Sequence, residues 1–270
     1  MKRTATRAPN TARPAWRHAV WGGLLGLSLA TLVWAPARWL AWGVSSASQG
    51  QVQLLNTRQN VWAGSAQLVL SGGSGSRDPQ ALPGRLNWRI EPTWTGLRLF
   101  WQADCCMTQM AHVQVQLSLS SLQVQVSDHR AQWPMALLRG LGAPWNTLQA
   151  DGQLDMRTEA MQLQWSQGRM QMKGQARLDV QQLSSRLSPL KPIGSYRLQL
   201  SGTPQGTATP DLQLSTLQGP LLMSGQGQWV GGRLRFTGEA SAQEGHEAAL
   251  SNLLNIMGRR QGSRSLLSVG

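Results

Sequence analysis

Groups that could carry out chemistry are few and widely spaced in this sequence. The histidines stand in no pair with the spacing of metal ligands: His18, His112, His129 and His246. The neighbouring acids Asp151 and Asp155 flank Gly152, which favours a turn over a catalytic carboxylate pair. The sequence has no G-x-S-x-G elbow, no P-loop and no dinucleotide-binding glycine pattern. We therefore predict that the protein is not an enzyme and uses no metal or cofactor.

Cys105 and Cys106 are the two cysteines, and they are adjacent. An oxidising compartment would favour a disulfide, but a bond between neighbours closes a strained small ring. A bridge to another chain is the second alternative, and a pair of buried thiols without function is the third. Two cysteines cannot hold a metal without further ligands, and the sequence offers none nearby.

Tryptophan is the dominant aromatic residue, with 13 copies against one Tyr and two Phe. Five copies flank one apolar segment near the N-terminus and are predicted to lie at membrane interfaces: Trp16, Trp21, Trp34, Trp39 and Trp42. The remaining copies lie mostly in segments that resemble strands. Packing in a core explains them, and an apolar groove or a partner interface is the functional alternative.

The elements that would carry these residues begin with a predicted membrane anchor. Residues 18–37 hold no charged side chain, whereas residues 2–17 hold five basic ones and no acid. A helix of about 20 residues crosses the hydrocarbon core, and basic flanks stay in the cytoplasm. We predict a cytoplasmic basic tail (1–17), a transmembrane anchor (18–40) and a linker (41–50), placing the protein in the inner membrane. A signal peptide cleaved after 35–37 is the competing interpretation, and a buried core helix leaves the basic flank unexplained.

Residues 51–270 read as a periplasmic β domain, with candidate halves 51–145 and 146–270. Residues 113–126 (VQVQLSLSSLQVQV) alternate apolar and polar side chains, with a shift of phase at Ser120 and Ser121 that indicates a bulge or a tight bend. Such alternation is typical of antiparallel sheets with one wet face. Short helices are predicted only at 133–141 and 244–260. The predicted fold class is mainly β: an extended, curved antiparallel sheet with one C-terminal amphipathic helix.

An internal repeat supports an extended sheet. Residues 161–175 (MQLQWSQGRMQMKGQ) and 212–226 (LQLSTLQGPLLMSGQ) share identical residues at a constant offset of 51 positions. A recurring strand–turn–strand unit would explain the match. Chance similarity between two β segments rich in Gln, Gly and Leu is the alternative.

The formal net charge of +13 raises the question of nucleic acid. The arginines, however, are scattered along strand-like segments instead of forming one cluster. A basic surface that faces anionic lipid or acidic partners explains the same charge, so no nucleic-acid partner is predicted.

Three segments resemble the type II secretion system protein N family, also called general secretory pathway protein N. They are the NVWAG-A-L element at 60–68, LSPLKPIGSYRL at 187–198, and GPLLMSGQGQWVGGRLRFTGEASA at 219–242, which continues as EAALSNLLNIMGRR. The residues that carry the likeness are Trp62, Gly64, Gly194, Tyr196, Gly219, Pro220, Gly225 and Gly232.

The resemblance implies a non-enzymatic accessory subunit of the machine that exports folded proteins across the outer membrane. It also implies an anchor in the inner membrane, and partners among the platform subunits of that membrane and the secretin. Exposed strand edges could dock strands of those partners. By pattern alone, the sheet is similar to AsmA-type envelope proteins, so a groove that binds lipid is the alternative function.

Overall fold

The structure, a computed structural model, describes residues 16–73, 78–143, 145–167, 169–202, 209–230 and 233–270. Its helices are α1 (Trp16–Val33), α2 (Ala37–Ala47), a 3₁₀ helix (Met135–Leu141), α3 (Trp145–Leu148) and α4 (Glu247–Met257). The predicted basic tail lies outside the described residues as far as position 15. The two helices predicted at 133–141 and 244–260 are both present, with the shorter bounds just given.

Strands make up the rest of the framework. The first half of the chain forms β1 (Val52–Gln59), β2 (Ala63–Leu70), β3 (Gln80–Ala81), β4 (Leu86–Thr93), β5 (Gly96–Ala103), β6 (Ala111–Leu117), β7 (Ser121–Val126) and β8 (His129–Pro134). The second half forms β9 (Asp151–Ser166), β10 (Arg169–Ser184), β11 (Gly194–Ser201), β12 (Asp211–Gln218), β13 (Leu221–Val230), β14 (Arg233–Ala242), β15 (Arg259–Gln261) and β16 (Arg264–Val269).

All of these strands belong to one sheet, and every described pairing is antiparallel. The order is β1-β2-β4-β5-β6-β7-β9-β10-β11-β12-β13-β14-β16-β15, so neighbours in the sheet are almost always neighbours in the chain. Short β3 adds to β2, and β8 pairs with the part of β9 that β7 leaves free. The prediction of a mainly β fold with one antiparallel sheet is therefore confirmed.

Alternating side chains give the sheet two different faces. Val113 pairs with Val126 and Val115 with Val124, so their side chains share one face, while the glutamines between them share the other. The phase shift at Ser120 and Ser121 is a tight turn, closed by the Ser118 N–H donating to the Ser121 carbonyl at 2.9 Å. We call the apolar side the inner face and the polar side the outer face.

Helices and loops cover the inner face in separate places. Helix α2 packs on β1, β2 and β4 around Leu54, Ala66 and Trp88. The turn after β5 and the 3₁₀ helix cover the middle of the sheet, and α4 covers its C-terminal end with Leu250 and Leu254 fully buried. The core is thus divided into several clusters spread along one face.

The N-terminal segment forms two helices with a turn between them. Helix α1 ends at Val33, the chain turns at 34–36, and α2 continues to Ala47, so most of the predicted linker is helical. Ala37, Leu40 and Ala41 pack against the sheet, which explains why this stretch is ordered as a helix. None of the helices in the described part of the chain combines the length and the apolarity that a membrane crossing demands.

Both copies of the repeat fold as hairpins, β9–β10 and β12–β13. Their registers differ: Leu163 pairs with Met172, whereas Leu214 pairs with Gly225 and not with Met223. In the second hairpin, the Thr216 hydroxyl bonds the backbone N–H and carbonyl of Met223, which replaces main-chain pairing near the turn. The repeat predicts the hairpin but not its register.

The two edges of the sheet are short or interrupted. In β1 the register shifts between Leu55 and Arg58, where Asn56 has a φ of 51°. At the other edge, β15 is only three residues long and carries Arg259 and Arg260. Bulges, short strands and charges are common ways of preventing further strand pairing. The edges are therefore poorly suited to strand addition, contrary to the expectation from sequence.

Candidate functional site

The structure joins Cys105 and Cys106 by a disulfide in the turn between β5 and β6. The N–H groups of Cys106 and Met107 both donate to the Ala103 carbonyl at 3.1 Å, and both side chains are buried. Of the alternatives left open by the sequence, the structure shows the bond between neighbours. Cys106 belongs to a hydrophobic cluster, whereas Cys105 is exposed. The described residues contain no group of three His, Cys, Asp or Glu that could hold a metal.

The histidines and the two neighbouring acids do not form a common site. His129 is buried, with its Nδ1 2.7 Å from the Thr158 hydroxyl and its ring edge-on to Trp101. Asp155 is buried and ion-paired, whereas Asp151 is 70% exposed and lies 3.7 Å from Arg139. These groups therefore have local structural contacts and do not face one another as an acid and a base.

A junction between residues 32–36 and residues 60–64 fixes α1 and α2 to the sheet. The Trp62 Nε1–H donates to the Leu32 carbonyl at 2.8 Å, and the Val61 N–H donates to the Ala35 carbonyl at 2.9 Å. Pro36 and Asn60 add an isolated antiparallel bridge. The junction thus places the residues of the NVWAG element against the corner between the two helices.

Gly64 and Trp88 support the junction from inside. The Trp88 Nε1–H donates to the Val61 carbonyl at 2.9 Å, which holds the element from the sheet side. A Cβ on Gly64 would lie 2.6 Å from the Trp88 ring and 2.7 Å from the Arg58 carbonyl, so only glycine fits. The resemblance at this element therefore has a structural reason.

The tryptophans predicted to lie at membrane interfaces all point away from the protein. Each is at least half exposed: Trp16 (67%), Trp21 (65%), Trp34 (82%), Trp39 (52%) and Trp42 (74%). Helix α1 also exposes its aliphatic side chains, including Leu25 and Leu27, at more than 60%. This is an unusually apolar surface for a protein that would be bathed only by water.

The second family-like element holds β11 against β13. The Tyr196 hydroxyl donates to the Leu221 carbonyl at 3.0 Å, and burial raises the pKa of this phenol. A Cβ on Gly219 would lie 2.4 Å from the Gly194 Cα, so the two glycines allow the backbones to touch. Pro220 accepts from the Gln243 N–H, Gly225 packs under the Phe236 ring, and Gly232 lies outside the described residues.

An open apolar strip crosses the inner face between the covered regions. It belongs to none of the core clusters and is only partly buried, with Leu117 the most exposed member at 61%, and its members are Val113, Val115, Leu117, Leu122, Val124, Leu163, Trp165, Met170, Leu198, Leu200 and Leu212. Cross-strand pairing joins its members from β6 to β10, and a second set of pairs joins those of β11 and β12. No member of the strip is charged.

Two ion-paired acids, Asp155 and Asp179, mark the outer face. The Arg130 Nε donates to both oxygens of Asp155 at 3.0 Å, and Arg157 donates at 3.4 Å. On the next strands, Arg197 donates two hydrogen bonds to the carboxylate of Asp179, of 2.7 and 2.8 Å. The hydrogen bond from Arg130, aided by Arg157 and Gln132, lowers the pKa of Asp155 to about 2 although its burial opposes this.

Sequence reasoning missed these ion pairs because they join side chains that are far apart in the chain. Arg130 and Asp155 are brought together only by the pairing of β8 with β9. The available signal was weak, because both acids share their strands with other charged residues of either sign, among them Arg157 and Arg177. The register was needed to identify their partners.

The comparisons with known proteins agree with this geometry at the level of the family. A family model described as type II secretion system (T2SS), protein N, matches residues 51–266, which cover the sheet almost completely. No curated protein and no solved structure matches the chain significantly.

Proposed function

Because the chain belongs to the type II secretion system protein N family, we propose that it is a non-enzymatic accessory subunit of the type II secretion machine, making protein–protein contacts in the periplasm. The single observation that carries this proposal is the family match over residues 51–266. The sheet offers partner subunits an extended surface, with one polar face and one partly apolar face.

Anchoring in the inner membrane is part of the proposal. The exposed apolar side chains of α1, such as Leu25 and Leu29, and the basic residues before it support insertion with the N-terminus in the cytoplasm. Its 18 residues rise about 27 Å, slightly less than the hydrocarbon core of about 30 Å. The interfacial Trp39 and Trp42 of α2 would then lie at the periplasmic headgroups.

The junction gives this anchor a mechanical role. A flexible linker would let the sheet sample many orientations, whereas the hydrogen bonds of Trp62 and Val61 attach it directly to the helix corner. An oriented domain confined to a plane meets its partners at a raised effective concentration. Since the edges of the sheet resist strand addition, its faces are the surfaces on which partner subunits would bind.

A secretion assay tests the proposed function. Deletion of the gene should retain a type II substrate in the periplasm, and the full chain should restore its release. A truncated chain that starts just before Ala35, fused to a cleavable signal peptide, keeps α2 but lacks α1. It should restore release of the substrate poorly. Normal secretion in the deletion strain would reject the proposal. A reporter fused after residue 60 tests the topology, because it should be active only in the periplasm.

The open strip favours a second candidate function, binding of lipid acyl chains on the inner face. Its partly buried side chains, among them the cross-strand pair Val124 and Leu163, leave apolar surface uncovered by the helices and loops. The truncated chain that starts just before Ala35 would be purified without detergent. Lipid that co-purifies with it would be measured by mass spectrometry. Leu163→Glu should abolish stoichiometric acyl chains, and Gln164→Glu on the outer face should not. The absence of lipid from the unsubstituted chain would reject this candidate.

A further inference from the structure

Four arginines and three acids meet on one area of the outer face, which we call the arginine patch. It spans β8 to β11 and consists of Arg130, Arg157, Arg177, Arg197, Asp155, Asp179 and Glu159. In the register of the sheet, Arg157 stands between Arg130 and Arg177, and Asp179 stands between Asp155 and Arg197. The patch thus combines two rows of side chains on adjacent strands.

Every acid in the patch already has a partner. Asp155 accepts from Arg130 and Arg157, and Asp179 accepts from both nitrogens of Arg197 that face it. Glu159 accepts from the amide of Gln175. Arg177 is left over: among the described residues it makes no ion pair, and its buried Nε has no hydrogen-bond acceptor.

The position of Arg177 is costly in the protein alone. Its cross-strand neighbour on β9 is Arg157, and like charges directly opposite each other destabilise a sheet. A buried donor without an acceptor adds a further cost. On the other side stands Gln199, whose amide nitrogen already donates to Gln175. An anion placed over the guanidinium of Arg177 would offset the repulsion between Arg177 and Arg157.

We propose that the arginine patch binds an acidic side chain of a partner protein, whose carboxylate accepts hydrogen bonds from Arg177 beside Arg157. The inference rests on the proposed function in taking the partner to be a protein. A small anion would sit on an open sheet face and keep most of its water, so it would gain little there. A protein surface covers the patch, and the amides of Gln175 and Gln199 can bond its polar groups.

The first test is the stability of the full chain without a partner, in micelles of an uncharged detergent. Arg177→Gln should raise Tm by about 2 °C, because it removes a repulsive charge. Arg197→Gln should lower Tm, because it leaves Asp179 without its ion pair. A fall in Tm for Arg177→Gln would show that Arg177 serves the fold and would overturn the proposal.

The second test measures binding of a fluorescent peptide of alternating Ser and Glu to the same full chain by anisotropy. Arg177→Gln should weaken binding about threefold, as expected for a partly exposed ion pair. The matched control is Arg98→Gln, on an exposed outer-face position of β5, which should leave affinity unchanged. Equal losses for the two variants would mean non-specific attraction to a basic protein and would overturn the proposal.

Two further probes complete the test. A peptide with Gln in place of Glu should not bind, because it lacks the carboxylates. Inorganic phosphate at the same concentration of charge should not displace the acidic peptide, and displacement would mean a small-anion site in place of the proposed one. None of these measurements involves secretion. A failure to bind the acidic peptide would reject the arginine patch but not the proposed function, and normal secretion in the deletion strain would reject the proposed function but not the patch.

Discussion

Asp155 organises its part of the outer face through side chains from two strands. Its carboxylate is 2% exposed and accepts from Arg130, Arg157 and Gln132, which satisfy an acid that would otherwise be costly to bury. The neighbouring Arg197–Asp179 pair repeats the arrangement with one arginine. Such buried acids fix strand positions because a shift of one residue would move them to the apolar face.

Asp155 should give the protein a pH-dependent stability. Its folded pKa of about 2 lies below the usual 3.8, so ionised Asp155 stabilises the fold at neutral pH, and this contribution is lost as pH falls from about 5 to about 2. One pKa unit corresponds to about 1.4 kcal/mol. Because the arginines that pair with Asp155 are about half exposed, solvent weakens the interaction. We therefore expect Asp155 to contribute about 1–2 kcal/mol to the free energy of unfolding at pH 7.

Urea unfolding of Asp155→Asn measures this contribution. The variant should lose stability at pH 7 and differ little from the unsubstituted protein near pH 2. Asp151→Asn, at a position 70% exposed, is the control and should change little at either pH. An equal loss at both pH values would show that the charge of Asp155 is not what stabilises the fold.

Among the elements, those with clear periodicity were predictable from sequence. Residues 113–126 alternate on both sides of the phase shift at Ser120 and Ser121 and form the hairpin β6–β7, and α4 shows a helical spacing within 244–260. The helical form of most of the predicted linker was not foreseen, although Ala37, Leu40, Ala41 and Val44 follow the i, i+3, i+4, i+7 spacing of a buried helix face. That signal was hidden because the neighbouring apolar residues of α1 extend the same hydrophobic run.

The interactions between strands could not be predicted in the same way. Arg130 and Asp155, or Trp62 and Leu32, are far apart in the chain, and their contacts depend on the register of pairing. The two hairpins of the repeat show the difficulty, since similar sequences pair two residues out of step. Alternation determines which face a side chain occupies but leaves its cross-strand partner undetermined.

Helix α4 should contribute strongly to the stability of the C-terminal end of the sheet. Leu250 is fully buried against β11 to β16, and Leu250→Ala should cost about 2–4 kcal/mol in chemical unfolding. Ile256→Ala on the same helix, at a position 55% exposed, should cost less than about 0.5 kcal/mol. Similar losses for the two variants would mean that helix formation, not packing on the sheet, sets the energy.

For the whole molecule, the junction determines how the sheet is held. Leu32, Ala35 and Pro36 bond residues of the β1–β2 connection directly, so the helix corner and the sheet form one unit. Motions of α1 would therefore be transmitted to the sheet. The orientation of the sheet relative to the two helices is therefore fixed.

Trp62→Phe should loosen that attachment while keeping the ring in place. Loss of the hydrogen bond to Leu32 should cost about 1 kcal/mol and broaden the distance distribution between spin labels at Ser28 and Gln67. Labelling through introduced cysteines is practicable because the native pair is already bonded. Trp94→Phe, at a fully exposed position, is the control. Unchanged distances for Trp62→Phe would indicate that the backbone bonds alone fix the corner.

The order of strands in the sheet has a consequence for how the chain matures. Because nearly every strand pairs with the one before it, each can add to an edge that has already formed. Folding can therefore proceed from β1 towards β14 without waiting for distant segments. The pairs that skip an element are β2 with β4, β7 with β9, and β14 with β16, which pairs only after α4 has passed between them. We expect truncations from the C-terminus to leave the earlier hairpins protected from proteolysis, whereas loss of β1 and β2 would deprive the growing sheet of its template.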